Sequence, residues 1–160
     1  MALSLIYGFY LQLSKDGIYS PDFITNLVAK QSSAVMGGLG YSAQVVPHAN
    51  QPSMKLFVEG KFLARIVEGC NALSIIVLFV SFIIAFAQGW KKTLLYIFAG
   101  GILIYAVNIL RIAILAIALH TYPEYPHTLH GVVFPGIIYG MVFLLWLIWV
   151  RLLTPKTKLE

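Results

Sequence analysis

The chain has 160 residues, of which 59% are hydrophobic and 11% charged, and it carries a net charge of +5 at neutral pH. Soluble domains carry roughly 25% charged residues. This composition, with a mean hydropathy of +0.84, therefore excludes an ordinary soluble domain and indicates an integral membrane protein of one domain and a few spans. The positive charge does not point to nucleic acid, because Lys91, Lys92, Arg151, Lys156 and Lys158 flank apolar runs, where cations set membrane orientation.

Residues 2–13 are apolar but fall short of the roughly 20 residues a span needs. They lack the basic start and small-residue cleavage site of a signal peptide, so they read as a short or cut-off N-terminal helix. Residues 14–69 are mixed and polar. Ser20 is expected to cap a helix with Pro21 at its first position. Phe23, Leu27, Val28 and Val35 give that helix a weak apolar stripe, and Gly37-Gly38 ends it. Residues 46–53 read as a loop. Met54 to Val58 and Lys61 to Val67 read as two strands about a Glu59-Gly60 turn, the second running straight toward Cys70.

Three longer apolar runs follow, at 70–88, 93–119 and 131–150. The 19 residues of the first reach about 28 Å as a helix, close to the thickness of a bilayer's hydrocarbon core. The second is longer and is expected to tilt. Pro135 lies in the first turn of the third, where a missing N–H is tolerated, and Gly136 and Gly140 are spaced for close helix contact. Trp90, Tyr122, Tyr125 and Trp149 sit at span ends, as an interfacial aromatic belt would. The expected fold is an all-α polytopic membrane domain. It has three full transmembrane helices, a short N-terminal helix and an extracytoplasmic segment with a helix and a β-hairpin. The basic flanks place the 88–92 connection and the C-terminus in the cytoplasm, and residues 14–69 and 120–130 on the other side.

Three features carry potential chemistry. Cys70 is the only cysteine. It excludes an internal disulfide and stands at the start of an apolar helix, where backbone N–H groups favour an anionic sulfur. Arg111 lies inside the apolar stretch VNILRIAILAIAL, where a charge costs at least a few kcal/mol and belongs in a bundle interior or wet cavity. Asn108 precedes it by three residues on the same helix face. His127 and His130 occur just before the last span. Topology alone brings a cysteine, an arginine and a histidine to one depth from three successive helices. The plainer readings are an inert packed cysteine, an arginine paired with Glu68 or Glu124, and interfacial histidines. His127 and His130 as a His-x-x-His metal pair lack an evident third ligand. His48 and His120 have no companions in the sequence.

Glu68-Gly69-Cys70-Asn71-Ala72, then Asn108-Ile109-Leu110-Arg111, then His130 with Phe134-Pro135-Gly136-Ile137-Ile138-Tyr139-Gly140 resemble the exosortase/archaeosortase family, most closely its exosortase F type. The resemblance runs from about Asp22 onward, with all three motifs in family order. It implies a membrane-embedded cysteine protease and transpeptidase that cleaves C-terminal sorting signals of exported proteins. Carried over, the catalytic residues are Cys70, Arg111 and His130, with His127, Asn108, Asn71 and Glu68 as secondary candidates. The implied partners are membrane-anchored proteins with a short motif, a transmembrane helix and a basic tail. The implied location is a bacterial inner membrane with the site facing the periplasm. Such chemistry needs no cofactor or metal, and many relatives have about twice as many spans. The competing class is a non-enzymatic assembly subunit or small transporter component, in which Arg111 and Asn108 would line a pathway or a subunit contact.

Overall fold

The computed structural model describes residues 8–9, 12, 22–48, 51–67, 70–87, 89–122 and 129–153. Helix α1 spans Phe23–Gly38. Its N-cap is Asp22, whose carboxylate accepts from the backbone N–H groups of Ile24 and Thr25 at 3.2 and 3.3 Å. The expected cap, Ser20, lies outside the described residues. Three strands follow, β1 (Ala43–Pro47), β2 (Ser53–Val58) and β3 (Lys61–Val67), in one antiparallel sheet of order β1-β2-β3. The expected hairpin is present as β2 and β3. Its turn residues Glu59 and Gly60 have φ of 50° and 74°, the left-handed pair that suits a twisted hairpin. The sequence reading missed β1, whose last two residues it assigned to loop. Glu59 secures that strand by accepting from the Ser42 N–H at 2.8 Å and donating its own N–H to the Ser42 carbonyl at 2.8 Å.

Helix α2 covers Leu73–Ala85, α3 Trp90–Thr121 and α4 Phe134–Ile148. Among the described residues two helices, Trp90–Thr121 and Gly131–Arg151, are long and apolar enough to cross a membrane. The third expected span is represented by the shorter helix α2. Its 13 residues reach only about 20 Å. The helix cannot begin at Cys70, because Ala72 takes a left-handed φ of 61° just before it. It ends at Ala85, and Gly89, with φ of 123°, reverses the chain into α3 in a conformation side chains resist. The fold is mostly helical with a small sheet, in which the expected hairpin gains a third strand, β1. Turns of π-helix, Leu129–Val133 and Trp149–Leu153, flank α4. The first ends two residues before Pro135, which lacks the N–H for a regular helical bond, so a wider turn there is accommodated at low cost.

Helix α3 is the spine of two stacked cores. In the upper one, Met54, Leu56 and Val58 of β2 pack on Val28, Ala29 and Met36 of α1 and on Ile112, Ala113 and Ala116 of α3. In the lower one, Phe79 and Ile83 of α2 meet Ile104 of α3, Val142 of α4 and Trp149 in the turn that follows α4. Ile104 and Ile112 are eight residues apart, about 12 Å along the axis, so one apolar face serves both cores. Trp149 is fully buried and donates its indole N–H to the Phe86 carbonyl at 2.9 Å, so it is a core residue rather than the interfacial one expected. Trp90, 84% exposed, does stand at the surface. Gly136 and Gly140 are exposed, and a Cβ at either would meet nothing within 4 Å, so the expected glycine contact is not made among the described residues. The close approach lies at Gly100, where a Cβ would fall 2.3 Å from Cζ of Phe79.

Candidate active site

The two cores meet at a short turn, Cys70 to Ala72, and polar groups fasten that turn. The Cys70 carbonyl accepts from Nδ2 of Asn108 at 2.8 Å. Asn71 is fully buried; its Oδ1 accepts from the Leu73 N–H at 3.1 Å, and its Nδ2 donates to Oγ1 of Thr25 at 3.3 Å. Thr25 in turn donates to the Asp22 carboxylate. Asn71 thus caps α2 from one residue upstream of Ala72, whose own side chain cannot. A run of four buried polar residues, Asp22, Thr25, Asn71 and Asn108, ties the start of α1, the cysteine turn and the middle of α3 into one frame. Its members hydrogen-bond to one another or to the turn, as buried polar groups must to avoid a desolvation penalty.

Above this frame opens a cavity of about 420 Å³. Cys70 and Arg111 both line it, together with Leu56, Ile66, Leu115 and Gly131. Its wall is mostly apolar, so charges at its surface are poorly screened and act more strongly than in water. Cys70 is half-buried, with its sulfur not in a disulfide. Arg111 is also half-buried, and its Nε is sealed from solvent without a hydrogen-bond partner among the described residues. The same holds for Oδ1 of Asn108, one helical turn below. An unpaired donor and an unpaired acceptor among the described residues thus lie on successive turns of α3, close to the lone thiol.

The expected residues fare differently. The structure brings Cys70, Asn71, Asn108 and Arg111 to one place. Glu68 and His127 lie outside the described residues, as does Glu124, one of the acids weighed as a partner for Arg111. His130 falls in the turn Leu129–Val133 before α4, and Gly131, next in the chain, lines the cavity. His48 and His120 are not isolated as expected. His120 stands edge-on to Tyr41 at 6.4 Å, and desolvation together with the cations of Lys55 and Arg65 holds His48 below the usual histidine range.

Three contributors, Arg65, Thr25 and Asp22, are not among the residues expected from sequence. Arg65 also lines the cavity, a second guanidinium, held at 2.6 Å by Oε1 of Gln51. Its position five residues before Cys70 on a predicted strand was the available signal. Thr25 and Asp22 support the cysteine turn from 46 residues away, and no local pattern announces that.

The model of the transmembrane exosortase family (Exosortase_EpsH) matches residues 3–150 of the chain. Comparisons with curated proteins and with solved structures matched nothing.

Proposed function

The chain belongs to the transmembrane exosortase family, and we propose that it is a membrane cysteine protease and transpeptidase whose nucleophile is Cys70. The family is one of membrane proteins that act on membrane-associated proteins bearing sorting signals. The observation that carries the assignment of residues is that Cys70 and Arg111, distant in sequence, line one apolar cavity.

In the proposed reaction the Cys70 sulfur attacks a peptide carbonyl of a substrate anchored in the same membrane. A C–S bond forms and the C–N bond breaks. His130 takes the thiol proton and delivers it to the leaving amine. Arg111 stabilises the negative charge, first on sulfur and then on the carbonyl oxygen, where its weakly screened charge counts for most. Water or an amine then attacks the thioester, releasing a carboxylate or a new amide and restoring the thiol. Asn108 and Asn71 position the cysteine turn.

The basic connection at 88–92 and the basic C-terminus support a site facing outward from a bacterial inner membrane. The motifs around Cys70, Arg111 and His130 support the exosortase F type. The expected substrate carries a short motif, an apolar span and a basic tail. The test is processing of a co-expressed tagged substrate of that kind. Cys70→Ala should insert normally and leave the substrate uncut, and Cys70→Ser should do little better. Normal processing by Cys70→Ala would refute the enzyme reading in favour of a non-enzymatic membrane role.

A further inference from the structure

The position of the cavity relative to the sheet says how a substrate is held. It touches Ala64, Arg65 and Ile66 of β3 in succession. Side chains of a strand alternate between its two faces, and here Ile66 is buried while Arg65 is exposed. The cavity meets Leu56 of β2 and its same-face neighbours Ala64 and Ile66, and it also reaches Arg65 on the other face, so it opens beneath the sheet and extends to the outer edge of β3. That edge is open. Among the described residues β3 pairs with β2 alone, so its other side presents backbone N–H and C=O groups without strand partners. The irregularity in the β2–β3 register lies at Leu56/Phe57, opposite Phe62 and Ala64, so Ala64 to Ile66 form the regular stretch that follows it.

From this edge the cavity continues to Cys70 and Arg111, and its far wall is Leu115, Leu119 and Gly131. A long unpaired strand edge is ordinarily a hazard that proteins blunt or cover. Here it borders a cavity that also contains the lone thiol.

We propose that the substrate's extended segment beside the scissile bond adds to this sheet as a fourth strand, along the outer edge of β3. The inference rests on the protease reading above and specifies how its substrate is recognised. Backbone hydrogen bonds to β3 fix the segment's register, and its alternate side chains face the apolar wall of Ile112, Leu115 and Leu119. Strand addition spends no side-chain specificity on the backbone, so sequence preference resides in the inward-facing positions. The three cavity-lining residues of β3 span about 10 Å, enough for a short motif rather than a folded domain. Because β3 ends at Val67, three residues before Cys70, register on the strand sets which peptide bond meets the sulfur.

The natural cysteine content makes the test direct, since Cys70→Ala gives a cysteine-free chain. In that background Ala64→Cys, Arg65→Cys or Gln44→Cys is introduced singly, the last on β1 at the opposite edge of the sheet. The probe is a tagged native protein from the same genome, ending in an apolar span and basic tail and processed by the unaltered chain. Single cysteines are walked along its segment preceding the span, and disulfide formation is read in membranes. Strand addition predicts cross-links to Ala64→Cys at every second probe position, the pattern shifted by one at Arg65→Cys, and none at Gln44→Cys. A processed probe that cross-links without alternation, or equally well at Gln44→Cys, overturns strand addition and leaves the protease reading standing. If the unaltered chain processes no such probe, the protease reading fails and this inference fails with it.

Discussion

Nδ2 of Asn108, in the middle of the long helix α3, donates a 2.8 Å hydrogen bond to the backbone carbonyl of Cys70. The cysteine is thereby held from the helix that also carries Arg111, and the two candidate catalytic groups share one support. Removing the donor leaves that carbonyl unpaired, at a cost of about 1–3 kcal/mol. Asn108→Ala is expected to lower the thermal midpoint in detergent and to reduce substrate processing about tenfold, the rate equivalent of about 1.4 kcal/mol. Asn108→Asp, which sets an acceptor against the carbonyl, should be at least as poor. Unchanged processing in both variants would remove Asn108 from the positioning frame.

Arg111 should be needed for its shape as well as its charge. A planar guanidinium offers donors in a fixed fork, which a lysine ammonium does not reproduce. Arg111→Lys is expected to leave most of the substrate uncut. Arg111→Met, which removes a half-buried charge, is expected to insert at least as well as the unaltered chain and to be inactive. Measuring membrane-inserted protein and cleaved substrate side by side separates the two effects. Intact processing by Arg111→Met would make Arg111 structural only.

The fold's tightest helix contact gives a prediction independent of chemistry. A methyl group at position 100 would lie 2.3 Å from Cζ of Phe79. Overpacking of this kind costs roughly 1–3 kcal/mol. Gly100→Ala should destabilise by that amount, and Phe79→Leu, which shortens the opposing side chain, should recover part of the loss in the double variant. Strictly additive losses would show that the two positions do not oppose each other.

The two histidines should separate in function. His130 adjoins Gly131, which lines the cavity, whereas His127 lies three residues earlier in the chain. A general base must come within hydrogen-bond reach of the thiol, about 3 Å or one water further. His130→Ala is therefore expected to abolish cleavage, and His127→Ala only to weaken it, at matched enzyme levels. Normal cleavage by His130→Ala would reassign the base without touching the role of Cys70.

The sequence reading was sound where a local signal coincided with a tertiary need. The hairpin about Glu59-Gly60 and the two long apolar helices follow from alternation, turn residues and length. Cys70 and Arg111 stand out as the lone thiol and as a charge inside an apolar run, and both line the cavity, although α2 begins at Leu73 rather than at Cys70. Errors arose where partners distant in sequence decide. Continuous apolarity from Ala72 to Ala87 hid the left-handed residue that delays α2, since hydropathy does not register backbone conformation. Trp149 looked interfacial because it stands at the end of its span, yet the Phe86 carbonyl and the ring of Tyr96, 4.8 Å away, draw it into the core. Gly136 and Gly140 carry a known packing spacing, but the glycine used is Gly100, which became recognisable only with Phe79 opposite. Strand β1 was lost because Pro47 argues against a strand interior, and it is tolerated here at the end of an edge strand.

The central claim is that Cys70 carries the substrate's acyl group, and hydroxylamine tests it most directly. A thioester exposed to this nucleophile yields a hydroxamate, so processing of the tagged substrate in its presence should end a fraction of product chains in a hydroxamic acid, detected by mass spectrometry of the new C-terminus. That fraction should rise with hydroxylamine concentration and vanish, along with all product, in Cys70→Ala. Product that ends only in a free carboxylate at every hydroxylamine concentration, and that still forms in Cys70→Ala, would contradict the account.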